Sequence, residues 1–339
     1  MKVSKVRIYI VLRKGVHFLA SGLLLTLLSG CSPFLSGNSA LPNALLPQTT
    51  PTYDGSGQAT EPSVHFFPDA WNGFRYWLVV NPYPYNEASK ENPSILVSND
   101  GASWRVPPGL TDPIALPSIG HLADGDLFYD SDANQLWVYY LWEDDSANTH
   151  VLRKTSSNGL DWTDPEDLIA VPNYVLQCPT VAKVGSQYHM WAINAGTTGC
   201  NAKTTSVEYR TSNDGLNWSA PQTTDLSQPA YTIWHIEVID VPSRGELWML
   251  SAAYPAGANC GSTVLFFARS TDGVHWTSFK NVALGRGSSW DRGEIYRSTG
   301  VYDENRDLFR VWYSAQTHSV WHIGYTEENY SEFLLRIAE

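Results

Sequence analysis

The sequence predicts an all-β fold, a five-bladed β-propeller over residues 59–339, and three observations carry that expectation. A phrase of the form Ser-x-Asp-Gly-x-x-Trp returns at 98–104, 212–218 and 270–276, and with Asn for Asp at 156–162. Its closing tryptophans, Trp104, Trp162, Trp218 and Trp276, are 58, 56 and 58 residues apart, a period that signals stacked or radial supersecondary units. An alternating run of aromatic and β-branched residues precedes each copy, and helical periodicity is nearly absent.

The chain opens on an address rather than on a blade. Lys2, Lys5, Arg7, Arg13 and Lys14 form a basic region, and an apolar stretch from Val16 to Leu28 follows, too short for a comfortable membrane span. It ends at Leu28-Ser29-Gly30-Cys31, which resembles the lipobox of bacterial lipoproteins. The resemblance implies a signal peptide over 1–31 and lipidation of Cys31. It also implies a lipid-anchored domain outside the cytoplasm, in the bacterial cell envelope at the outer membrane or cell surface. Residues 32–58, rich in Ser, Pro, Thr, Gly and Asn and almost free of charge, are expected to form a flexible tether.

Loss of the signal leaves 17 basic against 34 acidic residues, a net charge near −17. Such a surface repels phosphate backbones, which excludes nucleic acid as a partner. Fourteen Trp and eighteen Tyr exceed what a core of about 280 residues needs and suit stacking against sugar rings. Of Cys178, Cys200 and Cys260, the last two lie in equivalent Gly-rich loops and are the favoured disulfide pair. The cysteine spacings match no zinc site.

The blades follow in order. Short apolar strands are expected at 64–67, 127–129, 180–184, 236–239 and 295–302, each followed by an aromatic strand at 76–80, 136–140, 188–191, 247–250 and 309–313. The Ser-x-Asp-Gly-x-x-Trp phrase falls between third and fourth strands, where Asp bonds backbone amides and Gly accepts a positive φ. In the fifth unit it has decayed. A motif present in nearly every unit is scaffold, so chemistry is sought where the blades differ, at the leading ends of the innermost strands. Those ends offer Glu61, His121, Asp124, Asp126, Trp234, His235, Glu237, Trp290, Glu294, Tyr296 and Arg297. The loop after the second strand of blade 1 adds Tyr83, Tyr85 and Glu91 as a substrate wall. Acidic groups converging on a cleft suit glycoside hydrolysis, in which one carboxylate acts as base and another as acid.

The repeated turn resembles the Asp-box of sialidases. The chain as a whole, over about residues 60–325, resembles the arabinanase, levansucrase and invertase superfamily of five-bladed propellers, nearest in pattern to glycoside hydrolase family 43. The resemblance implies a base on blade 1, where Glu61-Pro62 stands in place of Asp-Pro, and a pKa-tuning aspartate on blade 2, matched by Asp124. It implies a blade 3 acid where this chain has Gln177-Cys178-Pro179, and an amide donates no catalytic proton. Glu237 or Glu294 then becomes the candidate acid. Tyr83, Tyr85, Glu91, His121, Asp126, Trp234, His235, Trp290, Tyr296 and Arg297 are expected to bind substrate. No cofactor is required, and His235 is a candidate to hold a structural ion such as calcium in the pore. The leading expectation is an exported, inverting glycoside hydrolase; a non-catalytic glycan-binding lipoprotein is second. A sialidase is third, since Arg297, with Arg292 nearby, falls short of an arginine triad.

Overall fold

The computed structural model describes residues 39–146 and 148–338; the signal and lipobox expected over 1–31 lie outside them. Five antiparallel sheets form, each from consecutive strands. Blade 1 holds β1 (Ala59–Trp71), β2 (Phe74–Pro82) and β3 (Ser94–Ser98). Blade 2 holds β4 (His121–Asp130), β5 (Gln135–Glu143), β6 (Thr149–Ser156) and β7 (Glu166–Val171). Blade 3 holds β8 (Leu176–Val184), β9 (Gln187–Asn194), β10 (Ser206–Ser212) and β11 (Gln222–Thr223). Blade 4 holds β12 (Tyr231–Val241), β13 (Glu246–Pro255), β14 (Val264–Ser270) and β15 (Thr277–Ser278). Blade 5 holds β16 (Glu294–Asp303), β17 (Leu308–Thr317) and β18 (Val320–Asn329), followed by helix α1 (Tyr330–Ala338). The first strands touch in the cycle β1–β4–β8–β12–β16–β1, so the five-bladed propeller closes around a central axis.

The repeated phrase builds the joints between blades. In every copy the serine hydroxyl accepts the glycine N–H at 2.8–2.9 Å. Oδ1 of Asp100, Asn158, Asp214 or Asp272 accepts the next two amides at 2.7–2.9 Å. These amide donors hold the Asp100, Asp214 and Asp272 carboxyls below the usual range, so they are ionised and committed to the turn. Each turn sets its glycine against a tryptophan on the second strand of the preceding blade: Gly101 on Trp312, Gly159 on Trp77, Gly215 on Trp137, Gly273 on Trp191. The closing tryptophans reinforce three of these joints edge-on, Trp104 against Trp312, Trp218 against Tyr139 and Trp276 against Trp191.

Blade 5 has lost the phrase, and α1 replaces it. Tyr330 stacks on Trp248 of blade 4, ring centroids 4.0 Å apart and nearly parallel, while Phe333 and Ile337 continue the buried face. This helix was not among the sequence expectations. Its apolar positions cover only about two turns, too little periodicity to stand out.

The stretch expected as a tether is corrected in part, because residues 39–58 pack on the propeller. Ala40 and Leu41 are fully buried and donate to the carbonyls of Val282 and Ala283 at 3.3 and 2.8 Å, and Gln48 N–H donates to Ile323 C=O at 2.8 Å. The Gln48 side chain also ties Gly101 C=O to the Trp104 indole. The physical reason is backbone satisfaction: Gln48 meets the open edge of β18 in three-stranded blade 5, while Ala40 and Leu41 meet carbonyls of the segment that follows β15. Cys200 and Cys260 form a disulfide between blades 3 and 4, leaving Cys178 as a buried free thiol.

Gly159 tests the joint. Its φ is +74°, and an added Cβ would overlap the Trp77 ring. Gly159→Ala is expected to cost at least about 1–3 kcal/mol from backbone strain, read as a lower midpoint in thermal unfolding; a wild-type midpoint would show that the turn does not rest on Trp77.

Candidate active site at the leading ends of the inner strands

Every inner strand carries a β-bulge near its leading end. The register shifts lie between Thr60 and Ser63, Ala123 and Asp126, Gln177 and Thr180, Ile233 and His235, and Ile295 and Ser298. A bulge re-aims side chains and leaves an amide unpaired. Glu61, Asp124 and Cys178 adopt φ of 55°, 55° and 44°, a left-handed conformation that is strained for residues with a Cβ.

Amides that the inner strands, each the edge of its sheet, cannot pair within their own blades are satisfied across blades, in two tiers. In one, Ser63, Asp126, Thr180 and Thr299 accept the N–H of Leu127, Val181, Val238 and Val64, each on the next blade, at 3.0–3.3 Å. Glu237 holds the corresponding position in blade 4. Two residues earlier on each strand stand Glu61, Asp124, Cys178, His235 and Arg297, one per blade. There Glu61 Oε2 accepts Asp124 N–H at 2.8 Å, Asp124 Oδ2 accepts Cys178 N–H at 2.7 Å, and Cys178 Sγ accepts Ile236 N–H at 3.3 Å.

Three members of this second tier converge. His235 Nε2 lies 3.1 Å from Asp124 Oδ1 and 3.7 Å from Glu61 Oε1. One donor atom from each of Glu61, Asp124 and His235 falls within 4.8 Å of the others, and all three residues are buried. Burial pushes the His235 imidazole down to about 4, so it is neutral at pH 7 with a lone pair to offer. Burial, then the Asp124 charge, pushes the Glu61 carboxyl well above the usual range. Two carboxylates and a neutral imidazole are a donor set that suits a divalent cation, and the charge they concentrate is what such an ion would offset.

Arg297 fills the pore next to this cluster. Its buried guanidinium donates to Glu237 Oε2 at 2.7 Å from Nη2 and 3.2 Å from Nε, and from Nη2 also to Asp126 Oδ1 at 3.2 Å and Pro179 C=O at 3.3 Å. Ser63 Oγ donates to Glu237 Oε1 at 2.8 Å. Arg297 Nη1 makes no hydrogen bond among the described residues and lies 3.9 Å from Asp124 Oδ1. Burial, then the Glu237 charge, raises the Asp126 carboxyl, and the guanidinium opposes that.

The other sequence candidates distribute around this centre. Tyr296 packs its ring 4.1 Å from that of His235, and its hydroxyl accepts the Trp234 indole N–H at 3.0 Å. Glu294, raised by burial to about 7, accepts from Gln316 Nε2 at 3.0 Å and Thr263 Oγ1 at 3.4 Å. Glu91 is buried, and its carboxyl is raised by burial and by Asp124. Tyr83 packs against Trp321, and its hydroxyl is pushed up by burial and by Glu91 and Glu61. Tyr85 is 70% exposed. His121, a third exposed, faces Glu143 at 3.7 Å. Trp290 is committed to the blade 5 scaffold, stacked on Tyr313 and donating to Ala44 C=O.

Sequence reasoning missed two residues. Cys178 occupies the register position of Asp124, and the spacing to Thr180-Val181, parallel to Asp126-Leu127, was the available signal. Asn81, fully buried at the end of β2, carries no motif and becomes visible only through its partners. At the opposite ends of the inner strands a cavity of about 650 Å³ reaches inward as far as Ser63, Asp126 and Glu237 and does not include the Glu61–Asp124–His235 cluster.

No protein-family model matches the sequence. In an alignment of 378 positions that covers 88% of this chain, it is 30% identical to the A type blood N-acetyl-alpha-D-galactosamine deacetylase of Flavonifractor plautii, and it spans about half (49%) of that relative. The crystal structure of an N-acetylgalactosamine deacetylase from F. plautii, in complex with blood group B trisaccharide, superposes with a TM-score of 0.83 at 29% identity, covering 88% of this chain and 98% of that one. The catalytic domain of the Coprinopsis cinerea GH62 alpha-L-arabinofuranosidase superposes with a TM-score of 0.59 at 14% identity, covering 86% and 97%. That likeness is one of fold. The chain is thus similar in sequence and fold to a propeller enzyme that acts on carbohydrate.

Glu294 makes the electrostatics testable. Its folded-state value of about 7 lies above the ordinary 4.5, so the folded protein holds a proton that the unfolded chain has released. Stability from this group is therefore fully present at low pH and falls as pH rises toward 7. Glu294→Gln is expected to flatten that decline and to exceed wild type by on the order of a few kcal/mol at about pH 8. Denaturant unfolding across pH checks it, and parallel pH curves for the two proteins would refute it.

Proposed function

We propose that the protein is a metal-dependent carbohydrate N-deacetylase, acting on an N-acetylated amino sugar of a glycan. The observation that carries this reading is the convergence of Glu61, Asp124 and His235 within 4.8 Å in the pore of a propeller similar to an N-acetylgalactosamine deacetylase. These three residues would hold the cation, which supplies polarisation of an amide carbonyl and a water of lowered pKa. The chain's own part is to fix the ligands. Asp124 N–H orients Glu61, and Cys178 N–H orients Asp124. The left-handed bulges turn both carboxylates inward, and burial keeps His235 unprotonated.

The inverting glycoside hydrolase expected from the sequence requires a carboxylic acid free to protonate a leaving oxygen, opposite a base that activates water. Asp126 and Glu237 are engaged by Arg297, and Glu61 and Asp124 by backbone amides, which favours ligand duty over acid–base duty. The same propeller architecture supports both chemistries, so fold alone does not choose between them.

Incubation of the purified protein with a glycan ending in N-acetylgalactosamine is expected to release acetate and leave a free amine on an intact sugar chain, read by mass spectrometry. Chelation should abolish this and a divalent cation restore it. Asp124→Asn should lose bound metal, measured by elemental analysis, and lower the rate by at least about 10²-fold. Release of a free sugar with its acetyl group in place, or acetate release that survives chelation, would count against the reading.

We also propose that the protein acts in the cell envelope, lipid-anchored through Cys31. The lipobox-like Leu28-Ser29-Gly30-Cys31 supports this, and so does the Cys200–Cys260 disulfide, a bond favoured by export. Cys31→Ala is expected to move the protein out of the membrane fraction on cell fractionation; retention there would argue against the anchor.

A further inference from the structure

Six carboxyl groups gather at the pore, and five of them are spoken for. Glu61 accepts the Asp124 amide, Asp124 accepts the Cys178 amide, Asp126 and Glu237 accept from Arg297, and Glu294 accepts from Gln316. The sixth is Glu91. It is only 7% exposed, yet its one side-chain contact with a donor is through its backbone carbonyl, and no group among the described residues donates to its carboxylate. A carboxylate with no protein donor is left to water, or to substrate arriving between it and the cluster.

Its placement is built. Glu91 comes from the loop between β2 and β3 rather than from an inner strand, and the fully buried Asn81 ties that loop to the cluster. Asn81 Nδ2 donates to Glu91 C=O at 3.1 Å, and Asn81 Oδ1 accepts the N–H of Gly125, the residue after Asp124, at 3.1 Å. One amide thus clamps the Glu91 loop to the Asp124 bulge. The Asp124 charge acts through space on the Glu91 carboxyl, and Glu91 acts likewise on Glu61 and on the Tyr83 hydroxyl.

We propose that Glu91 is the proton-transferring residue of the reaction, held over the Glu61–Asp124–His235 cluster by Asn81. The inference rests on the deacetylase reading. Water attacks the acetyl carbonyl carbon, a C–O bond forms, and the water's proton passes to the Glu91 carboxylate. As the tetrahedral intermediate collapses, the C–N bond breaks and Glu91 returns that proton to the departing nitrogen, leaving acetic acid and the free amino sugar. Burial raises the Glu91 carboxyl, which brings it closer to the basicity that a group working in both directions needs.

The test compares wild type, Glu91→Gln and Glu91→Asp on an N-acetylgalactosamine-terminated glycan, with metal content measured in each. Glu91→Gln is expected to keep its metal and thermal midpoint, to lose about 10²–10⁴-fold in kcat with KM changed far less, and to lose the acidic limb of the kcat–pH profile. Glu91→Asp should regain part of the rate and that limb. An active wild type with Glu91→Gln within tenfold of it, loss of metal from Glu91→Gln, or equal loss in Glu91→Gln and Glu91→Asp would each overturn the role of Glu91 alone. A wild type that releases no acetate from any N-acetylated glycan would overturn the deacetylase reading and this inference with it.

Discussion

Everything at the centre of this propeller follows from backbone amides that the inner strands cannot pair within their own blades. Each inner strand is the edge of its sheet and is bulged near its leading end, and an unpaired buried amide is costly. The chain resolves this laterally: a side chain on one blade accepts the amide of the next, as Glu61 does for Asp124, Asp124 for Cys178, Ser63 for Leu127 and Asp126 for Val181. The pore must therefore be lined with acceptors, and carboxylates are the strongest acceptors available. An acidic pore is first a solution to closing the ring.

That solution creates an electrostatic problem, and its partial answer shapes the site. Arg297 spends its guanidinium on Asp126 and Glu237, leaving Glu61 and Asp124 with a neutral His235 and one distant Nη1 at 3.9 Å. The imbalance is local and directional. Along the pore one level is compensated by a fixed cation of the protein, and the adjoining level is left with a donor set that would accept a mobile one. Ligand geometry and blade closure are then the same hydrogen bonds, which gives the candidate ligands the rigidity that metal sites draw from their outer shells.

Much of this was legible in the sequence, for a physical reason. The spacing of Trp104, Trp162, Trp218 and Trp276 counts blades because each turn glycine must lie against a tryptophan of the preceding blade, so residue identity and period are both constrained locally. Glu61, Asp124, Asp126, His235, Glu237 and Arg297 were identifiable as pore residues because they vary where the repeats otherwise agree. Their division of labour was not legible. Asp124 and Asp126 each accept an amide of blade 3 and differ in what the other oxygen meets, His235 or Arg297, and Glu237 pairs with an arginine 60 residues away.

The sequence by itself determined the number of blades, the scaffold duty of the repeated aspartates and the level of the chain at which polar groups converge, since these depend on contacts within a blade or between consecutive ones. Tertiary structure alone decided the rest. Residues 39–58 became part of the fold because the edge of β18 and the segment after β15 present carbonyls to satisfy, and Tyr330 covers Trp248 because blade 5 lacks its turn. Asn81 and Glu91 acquired meaning only when Gly125, some 40 residues away, came within hydrogen-bonding distance. Closing five strands into a ring brings Glu61, Asp124 and His235 within one coordination distance, and no local pattern encodes a separation set by the diameter of that ring.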